Sequence, residues 1–369
     1  MTTRQWVSWA LGYIDDIAIG AIRFFEGKTY FDGGVGDVGG LEKSEKLMKR
    51  VCLGEDSVPE MQNLVWNTTK KENNELRGPI IEEATFNAPF SDLVPDECKS
   101  AHFQLIRPAV GKVRGVVIHF QMTADETFSF RRNHIAGKLV SSGIASILLM
   151  APLYGSRRPS DQERHYVRNI SDLIQAGIVG IFEGVMLVNW CRAEFPDAQI
   201  CLTGISAGAV PAAGTGLLSA GPVAVVPCIG AGSPQPFING ALSSHVNWES
   251  ITKSLGKRDP NEARLYLTEL FARVHLRRIS DWRKEAGNPP SLVSISVAAS
   301  NDRCVLPDES QELHNLLAGA SSHEEMLWII GGHATSIHKA GSQFVPIIER
   351  AIDILQQSNA TVVDTPTLS

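Results

Sequence analysis

The sequence predicts an α/β fold: a mostly parallel twisted sheet with helices on both faces, antiparallel N-terminal strands and a helical cap insertion. Three observations carry this expectation. From Gly115 onward, short apolar runs rich in Val and Ile alternate with helix-length segments, as in strand, crossover helix and parallel strand. Between Ala198 and Trp248 the chain has no Asp, Glu, Lys or Arg, yet Gly and Pro punctuate it every few residues, which describes buried strands and turns. Residues 234–290 then break the alternation with charge-bearing helical sequence around Trp248, Phe271 and Trp282.

The elements divide the chain into an N-terminal helix and extension (1–78), a first core part (79–233), a helical cap insertion (234–290), a second core part (291–357) and a disordered tail (358–369). Residues 5–25 place Trp6, Trp9, Ala10, Tyr13, Ile17, Ala21 and Phe24 on one helical face with Asp15 opposite. That face docks on the protein's own core or, as the alternative, lies peripherally on a membrane. GGVGDVGG (33–40) contains Gly34, Gly36 and Gly39 at dinucleotide-fingerprint spacing, but no apolar strand precedes it and no ribose-binding acid follows, so no cofactor is expected there. Residues 54–78 read as a polar loop. IIEEATF (80–86) and HFQLI (102–106) read as an antiparallel meander. The strands GVVIHF (115–120), IASILLM (144–150), AQICLTG (198–204), VAVVPCI (223–229), LVSISVAA (292–299) and EMLWII (325–330) follow. Helices are expected over 130–142 and 166–194, and after Ser206, where Pro211 predicts a kink.

Composition excludes several classes. The 369 residues, 43% hydrophobic and 20% charged, suffice for a large core, and a net charge of -6 offers no field for nucleic acid. Six cysteines without a Cys-x-x-Cys pair read as reduced thiols, and no secretory signal is evident, so an intracellular location is expected, cytoplasmic or mitochondrial, with peripheral membrane contact as an option. Residues 170–190 are nearly apolar enough to span a bilayer, but Asp172 and Glu183 interrupt them, and a central acid costs about 2.5–3.5 kcal/mol on insertion. A buried helix is the expectation. The histidines His102, His119, His134 and His165 lack ligand spacing, so no metal is expected.

Gly204, Ser206 and Gly208 fit Gly-x-Ser-x-Gly between an apolar strand and a small-residue helix. A nucleophile elbow needs this context, because the serine sits on a sharp turn whose neighbours must be small. A serine hydroxyl also needs a base and an orienting acid, found after the nucleophile in chain order in this arrangement. Asp302, in NDRCVLP after one strand, and His333, in GGHATS after the next, fill those positions; Asp308 and Glu309 are alternatives for the acid, and His338 is expected exposed on the following helix. Oxyanion donors are expected from Ala207 and from Gln121 or Met122 in the loop after GVVIHF. Arg131, Arg132, Arg157 and Arg158 fall at the same sheet edge, where they would meet an anionic substrate group or simply pair with Asp125, Asp161 and Glu163.

VVIHFQMTAD with Arg131 and Arg132 downstream, MAPLYGSRRPSDQ, RNISDL, TGISAG, VPCI, HVNW, AASNDRCVLP and IIGGH together resemble the alpha/beta-hydrolase domain-containing protein 18 family, within the alpha/beta hydrolase fold, over roughly residues 80–355. The resemblance implies a serine hydrolase with Ser206, Asp302 and His333 as its triad, from a family linked to removing acyl chains from phospholipids such as cardiolipin at mitochondria. The family's oxyanion loop resembles His-Leu-Ala-Gly-Thr-Gly-Asp, whereas Met122 and Ala124 stand at the glycine positions here. The expected function is cleavage of a carboxylic ester, preferably of a lipid, through an acyl-enzyme on Ser206. The alternatives are a small-molecule esterase or peptidase, and a non-catalytic receptor or scaffold.

Overall fold

The computed structural model describes residues 14–17, 27–71 and 78–363. Among these residues one sheet is built from β1 (Val65–Lys71), β2 (Ile80–Asn87), β3 (Ser100–Arg107), β4 (Gly115–Phe120), β5 (Ile144–Met150), β6 (Gln199–Ile205), β7 (Val223–Cys228), β8 (Leu292–Ala299) and β9 (Ser321–Ile329). The spatial order is β1-β2-β3-β5-β4-β6-β7-β8-β9. The pairs from β1 through β3 to β5 are antiparallel, and those from β5 across β4 to β9 are parallel. Every residue of β4, β5, β7 and β8 is buried, which is why they read as continuous apolar runs rather than alternating ones. Each fully buried Val, Leu or Ile contributes about 1.5–3 kcal/mol.

The principal helices are α1 (Val38–Leu53), α2 (Ile170–Glu194), α3 (Ala209–Leu218), α4 (Trp248–Ser254), α5 (Pro260–Arg273), α6 (Leu276–Glu285), α7 (Pro307–Ala318), α8 (His333–His338) and α9 (Val345–Val363). One face of the sheet is covered by α2 and α3, and the other by α9 and the helical stretch 129–142, which contains a π turn over Arg132–Ala136. The strand order reverses at β4, which lies between β5 and β6. Such a reversal opens a crevice at the carboxyl ends of the strands. Phe120 pairs with Gly204 there, so the chain leaving β4 and the chain leaving β6 run side by side.

Several expectations are corrected. The stretch expected as a polar loop contains β1: β-branched Val65, Thr68 and Thr69 suit an edge strand, which needs only one partner. Helix α1 begins inside the glycine-rich segment, where a Cβ on Gly33, Gly34 or Gly36 would collide with Asn169, Ser254 or Ser171. Gly34 and Gly36 take φ of 80° and 78°, and Val35 N and Asp37 N donate to Ser254 Oγ and Ser171 Oγ. Pro211 falls in the first turn of α3, where its missing N–H costs no intrahelical bond, so the predicted kink has no cause. The predicted tail begins inside α9, which continues to Val363 while Asn359 Nδ2 donates to Gln199 Oε1. In the N-terminal turn 14–17 the expected faces are reversed: Asp15 is buried, and Ile17, assigned to the docking face, is 69% exposed. The other residues of that face, Trp6, Trp9, Ala10, Tyr13, Ala21 and Phe24, lie outside the described residues.

Helix α2 is long and apolar enough to cross a membrane, yet its apolar stretch is 83% buried in the core. Glu183 at its middle is fully buried and bonds Arg157 through both oxygens, at 2.5 and 2.9 Å.

Candidate active site

Ser206 closes β6 with φ of 54°, a left-handed conformation that a non-glycine residue holds only under local strain, of order 1–3 kcal/mol. The turn exists because its neighbours lack side chains. A Cβ on Gly204 would sit 2.0 Å from Gly208 O, and one on Gly208 would sit 2.7 Å from Phe120 O. Gly230, which the sequence reading did not single out, has the same role from β7: a Cβ there would lie 2.1 Å from Ala209 Cβ. Gly204→Ala is therefore expected to lower thermal stability by about 1–3 kcal/mol through forced backbone shifts. It should also slow the reaction of Ser206 with an active-site probe; unchanged melting and labelling would contradict this account of the elbow.

The structure brings Ser206, His333 and Asp302 together. His333 Nε2 lies 2.9 Å from Ser206 Oγ, and His333 Nδ1 lies 2.7 Å from Asp302 Oδ2. A carboxylate only accepts, so Nδ1–H donates to Asp302, and Nε2 of the neutral ring accepts from the Ser206 hydroxyl. Asp302 is itself fixed, since Cys304 N and Val305 N donate to its other oxygen at 2.9 and 2.8 Å. The alternative acids Asp308 and Glu309 stand on α7, where Glu309 caps the helix by accepting from Leu306 N. His338 ends α8 and is exposed.

A cavity of about 280 Å³ opens beside Ser206. The core supplies Phe120, Leu149 and Ile178, and the insertion supplies Phe237, Phe271 and Leu276. Among the described residues, no Asp, Glu, Lys or Arg lines it. Ala207 and Gln121 do line it, whereas Met122 packs toward the opposite face of the sheet with Phe130 and Phe344. Gln121 Oε1 accepts from Ala151 N at 2.7 Å, while Gln121 Nε2 and Ser233 Oγ, both in the cavity wall, are buried without a partner among the described residues. Of the two glycine positions in the oxyanion loop, only Ala124 takes a left-handed φ, 66°; the Met122 position does not need one.

The four arginines expected near a substrate anion are not in the cavity wall. Arg131 is buried and donates to Asp125 Oδ2 and to the carbonyls of His119 and Leu149. Arg157 bonds Glu183 and the carbonyls of Met150 and Cys98. Arg158 pairs with Glu126 and Arg132 donates to Gln104 Oε1. The physical reason is that α2 carries the buried carboxylate of Glu183 and the loop after β4 the buried carboxylate of Asp125, and each needs a cation more than an apolar cavity does. Of the acids weighed as their partners, only Asp125 is used; Asp161 pairs with Arg168 and Glu163 with Lys28.

The elbow, the triad order and the sheet reversal define the class: an alpha/beta hydrolase. Residues 29–288 match the family model described as alpha/beta hydrolase domain containing 18, and the chain belongs to that family. The match includes Ser206 and ends before Asp302 and His333. Among solved structures, the chain resembles acetyl xylan esterase 1 from Thermoanaerobacterium sp. JW/SL YS485, with TM-score 0.55 and 11% identity over 90% of this chain and 98% of that one. It also resembles the acetyl xylan esterase from Paenibacillus sp. R4, with TM-score 0.55 and 12% identity over 86% and 97%. At these identities the likeness is one of fold.

Proposed function

We propose that this hydrolase cleaves carboxylic esters with an apolar acyl chain, lipid esters foremost, by acyl transfer to Ser206. The observation that carries this reading is the serine–histidine–aspartate relay opening onto a cavity whose described lining residues include no Asp, Glu, Lys or Arg. Ser206 Oγ attacks the ester carbonyl carbon as its proton passes to His333 Nε2, and Asp302 stabilises the imidazolium. The negative charge forming on the carbonyl oxygen falls toward Ala207 and Gln121. Collapse expels the alcohol, which takes the proton from His333. Water, deprotonated by the same imidazole, then releases the acid and restores the hydroxyl.

The cavity volume lies near the lower end of the roughly 300–1,000 Å³ range of small-molecule pockets. It suits one acyl chain, leaving the alcohol portion of a lipid toward the opening. With a series of p-nitrophenyl esters, kcat/KM is expected to rise roughly fourfold per added CH2 until the cavity fills, because each buried CH2 contributes about 0.8 kcal/mol. Phospholipid vesicles assayed in parallel should release fatty acid. Turnover confined to acetyl esters would replace the lipid reading with a small-ester one. Retention of full activity in Ser206→Ala would remove the serine mechanism altogether.

A further inference from the structure

We propose that Asp15, in the N-terminal turn 14–17, is a positioning residue that clamps the loop of Asp302 to the loop of His333; this rests on the hydrolase reading above. Its carboxylate is 2% exposed and accepts three backbone hydrogen bonds. Oδ2 takes His333 N at 2.7 Å and Arg303 N at 3.1 Å, and Oδ1 takes Ala334 N at 2.9 Å. One side chain thus bridges the base itself and the residue next to the acid, across 318 and 288 residues of sequence.

Burying a carboxylate is unfavourable unless its oxygens are hydrogen-bonded, and among the described residues the bonds that compensate it come from the two catalytic loops. The fit is also specific. Gly332 precedes the histidine, and a Cβ there would lie 2.5 Å from Asp15 Oδ2, so only glycine admits the carboxylate. His333 and Ala334 open α8, whose first N–H groups have no intrahelical acceptor, and an acidic side chain at that position satisfies them. The backbone of His333 is therefore set by Asp15, while its ring is set by Asp302 and Ser206. On the outer side of the same turn, Asp16 pairs with Arg303 at the surface. The isoleucines Ile14 and Ile17 face outward, so apolar burial does not account for the docking of the described turn.

Misplacing a catalytic group by about 1 Å can cost about 100-fold in rate. Asp15→Ala is accordingly expected to lower kcat on a p-nitrophenyl ester by about 10- to 100-fold with KM within about twofold. Asp15→Asn, which keeps one acceptor oxygen, should recover part of the loss, and Asp16→Ala should leave kcat unchanged. In a His333→Ala background, Asp15→Ala should produce no further loss. If Asp15→Ala unfolds, Asp15→Asn carries the test on the same readouts.

A spectroscopic readout makes the clamp testable apart from turnover: the low-field proton resonance of His333 Nδ1–H should shift or broaden in Asp15→Asn. A wild type inert toward esters whose resonance nonetheless moves in Asp15→Asn would contradict the hydrolase reading and keep the clamp. An active wild type whose kcat and resonance survive in both Asp15 variants would overturn the clamp alone. An equal loss from Asp15→Ala with and without His333 would also overturn it, because the effect would then not act through the histidine.

Discussion

Ser206→Ala is expected to lower ester turnover by about 10⁴- to 10⁶-fold while leaving the fold and the affinity for apolar esters nearly intact. The substitution removes only the hydroxyl that lies 2.9 Å from His333 Nε2; the glycines that shape the elbow and the cavity wall stay in place. His333→Ala should cost a similar factor, and the double variant little more, because a nucleophile and its base act as a unit. Asp302→Asn should cost about 10⁴-fold, since an amide can present N–H to Nδ1 and favour the wrong tautomer. Steady-state kinetics of the three single variants and the double variant check these values. Additive losses would mean that the residues do not form one relay.

Cys304, in the cavity wall, is a second side chain of a nucleophilic type. Burial, and then the neighbouring Asp302 carboxylate, push its thiol up to about 12. The reactive thiolate is present only as pH approaches that value, so at pH 7–8 the group is a neutral thiol. Thiol-directed reagents should therefore leave activity unaffected near neutrality. Rapid inactivation by iodoacetamide at pH 7.5, absent in Cys304→Ala, would contradict this.

Arg157→Met is expected to destabilise the protein by about 3–5 kcal/mol. The guanidinium is 1% exposed, meets both oxygens of the fully buried Glu183, and also donates to Met150 O and Cys98 O at 2.7 Å. Removing it leaves a carboxylate in the centre of α2 with no compensating charge. Replacing both partners, Arg157→Met with Glu183→Gln, should recover much of the loss, because the cost of breaking a buried pair exceeds the net worth of the pair. Urea unfolding of the four species measures this. A substrate-binding role for Arg157 would give the opposite pattern, a raised KM for anionic esters with unchanged stability.

The contrast between Arg157 and Ser206 shows what the sequence could carry. The elbow was legible because its requirements are local: an apolar strand, a serine and small neighbours lie within a dozen residues. Asp302 and His333 were legible because each follows the end of a recognisable strand, the fully buried β8 and the partly exposed edge strand β9. Arg157 was misplaced because Glu183 reaches it only through the way α2 lies across the sheet, a packing fact with no local signature, whereas Arg131 takes Asp125 from its own loop, a pairing that the sequence had left open. Asp15 was read as the polar side of an amphipathic turn, since periodicity weighs residue type and cannot register three backbone donors arriving from loops some 300 residues away. Strand β1 was missed because an edge strand of Thr and Lys lacks the apolar run that betrays a central one.

The measurement that bears most directly on the central claim is intact-mass analysis of the protein after incubation with a fluorophosphonate, followed by peptide mapping. A single adduct on Ser206, absent in Ser206→Ala and strongly slowed in His333→Ala, is the predicted result. An adduct that persists in Ser206→Ala, or wild-type protein that stays unmodified while folded, would contradict an activated serine at the end of β6.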